Sequence, residues 1–239
     1  MAKFLSLLRN RSIFLCRADL FDDVFEGTFT KGSLQEQEIE SGSKFPDELV
    51  DMARWIVCRS YVSCWHVSSV ESAALWKIYA GSDGAIAMKS SIRALKECFP
   101  DKIERHGNSI VNQSIRSVQY IDYRTAHPYL NDLAGPLCYK RQAFRFEQEI
   151  RVIRQELPTV PSKNRPNGKT ILLGPAPDEK GLEIQVNIER LIDTVYLAPS
   201  SPSWMLPTIR DTLKNFGMGN INCQQSSLDE LPEFGRLIA

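Results

Sequence analysis

Alternating side chains at residues 144–152 constrain the fold of this chain more than any other segment. Successive side chains of a β-strand point to opposite faces. In a strand, the apolar side chains would share one face with Gln148 and the charged side chains would share the other: Phe144, Phe146, Ile150 and Val152 against Arg145, Glu147, Glu149 and Arg151. The pattern therefore predicts a strand over 145–153 whose apolar face packs on the core. Its second face would present two carboxylates between two guanidiniums.

Other periodic segments predict strands and helices in irregular alternation. Strands are expected at 12–18, 60–66, 84–89, 117–123, 170–173, 182–187, 194–198 and 220–225. Helices are expected at 47–58, 91–98 and 203–216, with another between a capping box at Ser68 and Glu71 and a stop at Gly81. A Pro-rich loop is expected over 157–169. Because a strict strand–helix–strand rhythm is missing, we expect an α+β fold with split, mixed or mostly antiparallel sheets and flanking helices.

Length and composition predict one globular domain over residues 1–239. The chain is 43% hydrophobic and 24% charged, and a chain of this length can bury a sizeable core. Residues 31–48 are polar and acidic and predict a mobile insertion, while 226–239 predict a tail. The 29 basic and 29 acidic side chains balance, which disfavours a general nucleic-acid coat.

Cysteine usage and hydropathy predict the compartment. The six cysteines form no C-x-x-C pair, which favours buried thiols in a reducing environment. No apolar run approaches the roughly 20 residues that span a bilayer. We therefore expect a cytoplasmic protein without a membrane partner.

The two carboxylates at Glu147 and Glu149 are the first candidates for chemistry. Residues i and i+2 of a strand lie on the same face, roughly 7 Å apart. Carboxylates at that spacing can stabilise a developing positive charge, orient a hydroxyl or bind a metal. The alternative is an exposed strand face with ion pairs to Arg145 and Arg151.

Arg17 and the acidic residues after it are the second candidates. A guanidinium at the end of a buried strand can hold a phosphate or carboxylate with two hydrogen bonds, or it can form a structural salt bridge with a nearby acid. The acids are hard oxygen ligands suited to Mg²⁺ or Ca²⁺, or they cap turns: Asp19, Asp22, Asp23 and Glu26.

An aromatic segment gives the third candidates. Ser63 could fix a strand edge or a ligand, and Trp65 and Tyr79 could stack on a planar ring. The alternative is a set of core aromatics at a strand–helix junction. The sequence contains no P-loop, G-x-G-x-x-G, H-E-x-x-H or G-x-S-x-G motif, which disfavours kinases, Rossmann dehydrogenases, zincins and standard hydrolases.

Three ordered motifs are similar to those of a large bacterial family of domains of unknown function. They read R-A-D-L-F-D-D-x-F-E-G at 17–27, V-S-C-W-H followed by E-S-A-A-L-W-x-x-Y at 62–79, and K-x-x-x-F-x-x-E-x-E-x-R at 140–151. This resemblance extends along nearly the whole chain. The family does not itself imply an activity.

The order of an Arg strand, a Ser strand and an E-x-E strand also resembles the R-S-E pattern of ADP-ribosyltransferases. That resemblance implies a split, mixed sheet with NAD in a cleft. Arg17 and Arg151 would contact NAD, Ser63 would brace the cleft, and Trp65 or Tyr79 would stack on nicotinamide. Glu149 would stabilise the oxocarbenium-like charge as nicotinamide leaves, and Glu147 would orient the acceptor.

Three function classes remain open at this point. The first is an ADP-ribosyltransferase-like enzyme that cleaves NAD and modifies an unknown protein or nucleic-acid acceptor. By analogy it would be a toxin or phage-defence effector with an antitoxin or defence-system partner. The second is a metal-dependent nuclease or phosphohydrolase that uses the acids after Arg17 together with Glu147, with Lys140 or Arg151 on the phosphate. The third is a non-catalytic module that binds a ligand or a partner.

Overall fold

The structure is a computed structural model that describes residues 1–33, 35, 47–80, 85–128, 133–161, 169–171 and 175–230. At 47–50, 160–161 and 169–171 only the backbone is described. The acidic insertion predicted at 31–48 falls mostly outside these residues, as does the predicted tail from 231 onward.

Short helices and strands alternate along the chain. The helices are α1 (Ala2–Asn10), α2 (Asp47–Val57), α3 (Ala73–Tyr79), α4 (Ile92–Cys98), α5 (Ile188–Leu191) and α6 (Met205–Asn215). The strands are β1 (Ser12–Arg17), β2 (Ser60–His66), β3 (Ile86–Lys89), β4 (Lys102–His106), β5 (Ser109–Ser117), β6 (Gln119–Ile121), β7 (Tyr139–Arg141), β8 (Glu149–Pro161), β9 (Lys169–Ile171), β10 (Gly181–Gln185), β11 (Thr194–Leu197) and β12 (Asn222–Gln225).

The chain divides into two compact units, each built from separate segments. The smaller unit comprises Met1–Ile13, Ser68–Cys98 and Gln185–Ala239, and the larger comprises Phe14–Val67 and Phe99–Ile184. The expectation of one domain over 1–239 stays a prediction.

A seven-stranded sheet forms most of the larger unit. Its strand order is β10-β1-β2-β8-β5-β4, and β9 pairs with the far end of β8. The β1–β2, β2–β8, β8–β5 and β5–β4 pairs are all antiparallel. The long strand β8 therefore lies between two partners, which satisfy the hydrogen-bonding groups on both of its edges.

One face of β8 is buried from Glu149 to Thr159, and the opposite face is buried at Ile150 and Val152. On one face Ile153 packs with Val62 and Leu137, and Leu157 packs with side chains of α2. On the other face Val152 is 1% exposed. The face that carries Glu149 and Arg151 therefore lies in the core of the unit, and charged side chains on it require partners there.

The smaller unit is organised around a three-stranded sheet of order β12-β11-β3. The β11–β12 pair is parallel and the β11–β3 pair antiparallel. Helix α6 connects the two parallel strands and buries Met205, Ile209 and Leu213, which recur every four residues and so form one apolar face.

The expected α+β class is confirmed at the level of antiparallel and mixed sheets flanked by helices. Strand β2 has the predicted bounds, and the strands or helices predicted at 12–18, 47–58 and 203–216 are present within two residues at either end. Helix α1, the β4–β5 hairpin and β7 were not predicted. In the described ranges, no helix is both long and apolar enough to cross a membrane.

The strand predicted over 145–153 is only partly correct. Gln142–Glu147 forms a 3₁₀ helix, Gln148 follows with a φ of 41°, and β8 begins at Glu149. The loop predicted over 157–169 is also wrong at its start, because β8 continues to Pro161. The strict alternation of side chains therefore begins at Glu149, not at Phe144.

The capping box predicted at Ser68 and Glu71 is wrong. Ser72 caps α3 instead, by accepting a hydrogen bond from the backbone N–H of Leu75 at 3.3 Å. The Glu71 carboxylate accepts a hydrogen bond from the indole N–H of Trp76 at 2.9 Å. The helix therefore begins four residues later than the sequence signal indicated.

Candidate functional site: a buried charge cluster

Five charged side chains meet on one face of β8 in the larger unit. They come from three parts of the chain and are each at most 9% exposed: Glu26, Lys140, Glu147, Glu149 and Arg151. We call this set the charge cluster. Burial of so many ionisable groups is costly unless they pair, and the contacts within the cluster supply that pairing.

Lys140 lies among the three carboxylates of the cluster. Its Nζ is 2.7 Å from Oε1 of Glu149 and 3.3 Å from Oε1 of Glu26, and it also donates a hydrogen bond to Oε2 of Glu147. Its aliphatic chain brings the ammonium 4.8 Å from the ring centroid of Phe144, a cation–π distance. One ammonium thus holds together carboxylates from residue 26 and from residues 147 and 149.

Arg151 closes the cluster from the opposite side. Its Nε is 2.7 Å from Oε2 of Glu149, its Nη2 donates to Oε2 of Glu26, and its Nη1 donates to the carbonyl oxygen of Leu137 at 2.8 Å. The guanidinium carbon also lies 5.3 Å from the Phe21 ring centroid. Lys140, Glu149, Arg151 and Glu26 therefore form a closed ring of alternating charge, with Glu147 attached to Lys140 outside it.

The two carboxyl groups of the E-x-E pair differ in their titration. Burial raises the pKa of Glu147, the neighbouring Glu149 raises it further, and Lys140 only partly offsets both effects. For Glu149 burial also acts to raise the pKa, but hydrogen bonds with Glu147, Arg151 and Lys140 outweigh it and leave the pKa below its ordinary value. Glu149 therefore stays ionised, and Glu147 is the carboxyl of the pair that takes up a proton first.

A strained turn brings the two carboxylates together. Gln148, between them, adopts a left-handed conformation that side chains other than glycine seldom take. Two contacts to the backbone hold the turn. The Val67 N–H donates to the Gln148 carbonyl oxygen at 2.9 Å, and Nδ1 of the His66 side chain lies 2.6 Å from the Glu147 carbonyl oxygen. The Tyr120 hydroxyl accepts a hydrogen bond from the Glu149 N–H at 2.8 Å. Both carboxylates thus reach Lys140 although they do not lie on one continuous strand.

The structure does not bring Arg17 and Ser63 to the face of the sheet that carries Glu149. In the β2–β8 register Ser63 pairs with Val152 and His66 pairs with Glu149, so Ser63 points to the opposite face. Trp65 pairs with Ile150 and shares the Ser63 face. The β1–β2 register pairs Arg17 with Tyr61, which places Arg17 on that face as well.

The Arg17 guanidinium is engaged by groups of the protein. Its Nε is 2.7 Å from Oδ1 of Asp19, and its Nη1 donates to the carbonyl oxygens of Pro177 and, at 3.1 Å, Glu179. This is the structural salt bridge that the sequence left open as the alternative to ligand binding. Tyr79 lies on α3 in the smaller unit and is 67% exposed.

Three of the four acidic residues after Arg17 form ion pairs with basic side chains. Asp19 binds Arg17, and Asp23 binds Arg141 through both carboxylate oxygens at 3.0 and 3.1 Å. Glu26 is shared by Lys140 and Arg151. Across the part of the chain that the structure describes, no group of three or more His, Cys, Asp or Glu side chains is placed to hold a metal ion.

A cavity of about 200 Å³ lies in the same unit, beside the segment that carries Lys140. It is lined by Phe25, Ile121, Asp122, Tyr123, Arg124, Arg141 and Gln142. Burial raises the pKa of the Tyr123 hydroxyl, and the charges of Glu26 and Asp23 raise it further. The charge of Glu26 in the cluster therefore acts on the cavity wall at Tyr123.

Sequence reasoning named all five members of the cluster but did not predict that all five meet. Glu147, Glu149 and Arg151 were candidates for the NAD site, whereas Glu26 and Lys140 were candidates only for the alternative metal or phosphate site, together with Glu147 and Arg151. The available signal was an excess of basic residues around the E-x-E pair and an excess of acids near residue 26. Such complementary charge indicates pairing but not which side chains meet.

Comparison with known proteins finds no matching family model, no matching curated protein and no matching solved structure. The family resemblance of the three motifs and the R-S-E resemblance therefore stay predictions.

Proposed function

We propose that this chain is an ADP-ribosyltransferase-like enzyme that cleaves NAD and transfers ADP-ribose to a macromolecular acceptor. The single observation that supports it is the E-x-E pair: both carboxylates are held by Lys140, with the pKa of Glu149 lowered and that of Glu147 raised. Two neighbouring carboxyls whose pKa values are driven apart are typical of acid–base and glycosyl-transfer sites.

Glu149 would stabilise the transition state. When the bond between the ribose C1′ and the pyridinium nitrogen breaks, its electron pair leaves with nicotinamide and positive charge develops on the ribose. A fixed carboxylate near C1′ stabilises that charge. Each oxygen of Glu149 can accept more than one hydrogen bond, so it can bind a ribose hydroxyl while it keeps Lys140 and Arg151.

Glu147 would act on the acceptor. It is the most exposed of the three carboxylates, at 11% of its side chain against 6% for Glu149 and 4% for Glu26. A raised pKa makes its ionised form the stronger base. Glu147 would therefore take the proton of the acceptor nucleophile as that nucleophile bonds to C1′.

The roles that the R-S-E resemblance implies for Arg17 and Ser63 receive no support from the sheet register. The proposal therefore depends on the E-x-E pair together with Lys140 and Arg151, which hold the pair in place. The acceptor, and any antitoxin or defence partner, would be found after the NAD chemistry is established.

The test is nicotinamide release from NAD by the purified full chain, followed by chromatography. Glu149→Gln is compared with Glu156→Gln, which changes a carboxylate on the opposite face of the same strand, where it pairs with Arg154 at 2.9 Å. We expect E149Q to lose about 100-fold or more in kcat and E156Q to change less than about twofold. Circular dichroism of both variants establishes that the comparison is made on folded protein. Release by the wild type no faster than by folded E149Q would contradict the proposal.

A second candidate, a non-catalytic ligand-binding module, is favoured by the closure of the charge cluster. Both oxygens of Glu149 already have cationic partners, an arrangement that also suits a purely structural cluster. For such a module, NAD or a related ligand would raise the melting temperature in proportion to the logarithm of its concentration, with no nicotinamide released.

A further inference from the structure

The cavity beside β7 combines an aromatic corner with two guanidiniums. Phe25 and Tyr123 form its aromatic wall, with ring centroids 5.3 Å apart and an interplanar angle of 66°. Phe25 is 39% exposed and Tyr123 7%, so Phe25 presents most of the ring surface that a planar group can reach. Ile121 adds an aliphatic surface.

Arg141 is a fixed part of the cavity wall. Asp23 engages its Nε and Nη2, at 3.1 and 3.0 Å, and its guanidinium carbon lies 4.8 Å from the Phe25 ring centroid. The ion pair and the ring together orient the guanidinium, while its side chain stays 43% exposed. A pre-oriented, accessible guanidinium is suited to bind an anionic group.

Arg124 contributes the second guanidinium. Its backbone N–H bonds to Oδ1 of Asp122 at 2.9 Å, and the Asp122 carbonyl accepts from the Ala126 N–H at 2.8 Å, so Asp122 fixes the turn that presents Arg124 at the cavity. The side chain of Arg124 extends from this turn and is exposed. Arg124 therefore adds a positive charge that a ligand in the cavity can reach.

The size of the cavity limits the ligand. Pockets for drug-sized ligands are usually about 300–1,000 Å³. At about 200 Å³ this cavity holds one ring system, with the remainder of the ligand at its mouth. Gln142 and Asp122 supply hydrogen-bonding groups at the edge of such a ring.

We infer that this cavity is a mononucleotide site, in which a planar base lies against Phe25 and Tyr123 and its phosphate is held by Arg124 and Arg141. The inference deepens the proposed function, since NAD consists of two mononucleotides. Mononucleotide binding does not itself require cleavage, so the two proposals can fail separately.

The test is isothermal titration of the full chain at low salt with AMP, nicotinamide mononucleotide and ribose 5-phosphate. We expect at least one of the two mononucleotides to bind, and ribose 5-phosphate, which lacks the ring, to bind at least about tenfold more weakly. Binding of AMP would assign the cavity to the purine half of NAD, and binding of nicotinamide mononucleotide would assign it to the pyridine half. Failure of both to bind, or equal binding of ribose 5-phosphate, would overturn the inference.

Single substitutions test whether the mononucleotide binds in this cavity. Arg124→Gln is expected to weaken mononucleotide binding about tenfold, the loss of one charge-assisted contact to phosphate. The matched control is Arg105→Gln, an exposed arginine on β4 that does not line the cavity and should change binding less than about twofold. Phe25→Leu, which removes a stacking surface, should weaken binding of the mononucleotides more than binding of ribose 5-phosphate. Equal effects of R124Q and R105Q would also overturn the inference.

NAD cleavage is measured on the same proteins. Mononucleotide binding without any nicotinamide release would refute the proposed function and leave the site in place. Nicotinamide release with the same KM for NAD in wild type and R124Q would refute the site and leave the proposed function in place.

Discussion

Replacing Lys140 with methionine tests whether the charge cluster stabilises the fold through its ammonium. Lys140 contacts three carboxylates, and methionine keeps most of its aliphatic volume while removing the charge. After the change Glu26 and Glu149 still have Arg151, whereas Glu147 loses its ion pair with Lys140. The substitution therefore measures the cost of removing one ammonium from three buried carboxylates.

The expected magnitude follows from that geometry. Removing one partner of a buried ion pair typically costs about 3–5 kcal/mol. Because Arg151 still compensates two of the three carboxylates, we expect the lower end, about 3 kcal/mol of unfolding free energy at pH 7. Equilibrium unfolding in urea would show this as a midpoint lowered by about 1 M.

The pH dependence gives a second, independent readout. Glu147 has a raised pKa in the folded state, and without Lys140 its pKa rises further. An acid whose folded pKa is raised stabilises the fold as the pH falls through that pKa, since the folded state binds the proton more tightly. The stability gap between wild type and K140M should therefore narrow as the pH falls from 7 toward 5.

The matched control is Lys102→Met, in the same sheet. Lys102 pairs with the exposed Glu104 at 3.0 Å, and exposed pairs contribute little. The midpoint of K102M should stay close to that of the wild type. A K140M loss below about 1 kcal/mol, or a gap that widens on acidification, would refute the reasoning that Lys140 is the ammonium that compensates these carboxylates.

Three further predictions concern other residues of the larger unit. Gln148→Gly should raise the melting temperature, because glycine relieves the positive φ of 41° at a typical gain of about 1 kcal/mol, whereas Gln148→Val should lower it. Arg17→Met should lower the urea midpoint, because Asp19 and two backbone carbonyls lose their donor, yet leave the KM for NAD of the folded protein unchanged; a raised KM would instead return Arg17 to the binding site. Ile153→Ala should cost about 2–5 kcal/mol in urea unfolding, as expected for a side chain that is 1% exposed.

At low pH, protonation of Glu149 should lower the stability of the fold. Its pKa is lowered on folding, so its contribution is present above the pKa of an unfolded glutamate, about 4.3, and is lost as the pH falls below that value. The wild type should therefore lose stability below about pH 4, and E149Q should lose less of its own over the same range.

Local periodicity was enough to place several elements. Strand β2 and helices α2 and α6 were predicted because apolar side chains recur at the spacing of a strand or helix within the segment itself. The β4–β5 hairpin was not predicted, because β4 is a largely exposed edge strand of polar residues and carries little apolar signal. Its place in the sheet is set by pairing with β8, which the sequence does not reveal.

The sequence by itself determined that Glu147, Glu149 and Arg151 lie close together, since two or four residues cannot separate them far. Only the tertiary structure decided that Gln148 turns left-handed between them and that Lys140 and Glu26 complete the cluster. The register of β2 against β8 likewise decided that Ser63 faces away from Glu149. The physical reason is the two-residue period of a strand, because a shift of one residue in pairing exchanges the two faces, and that pairing depends on contacts distant in the sequence.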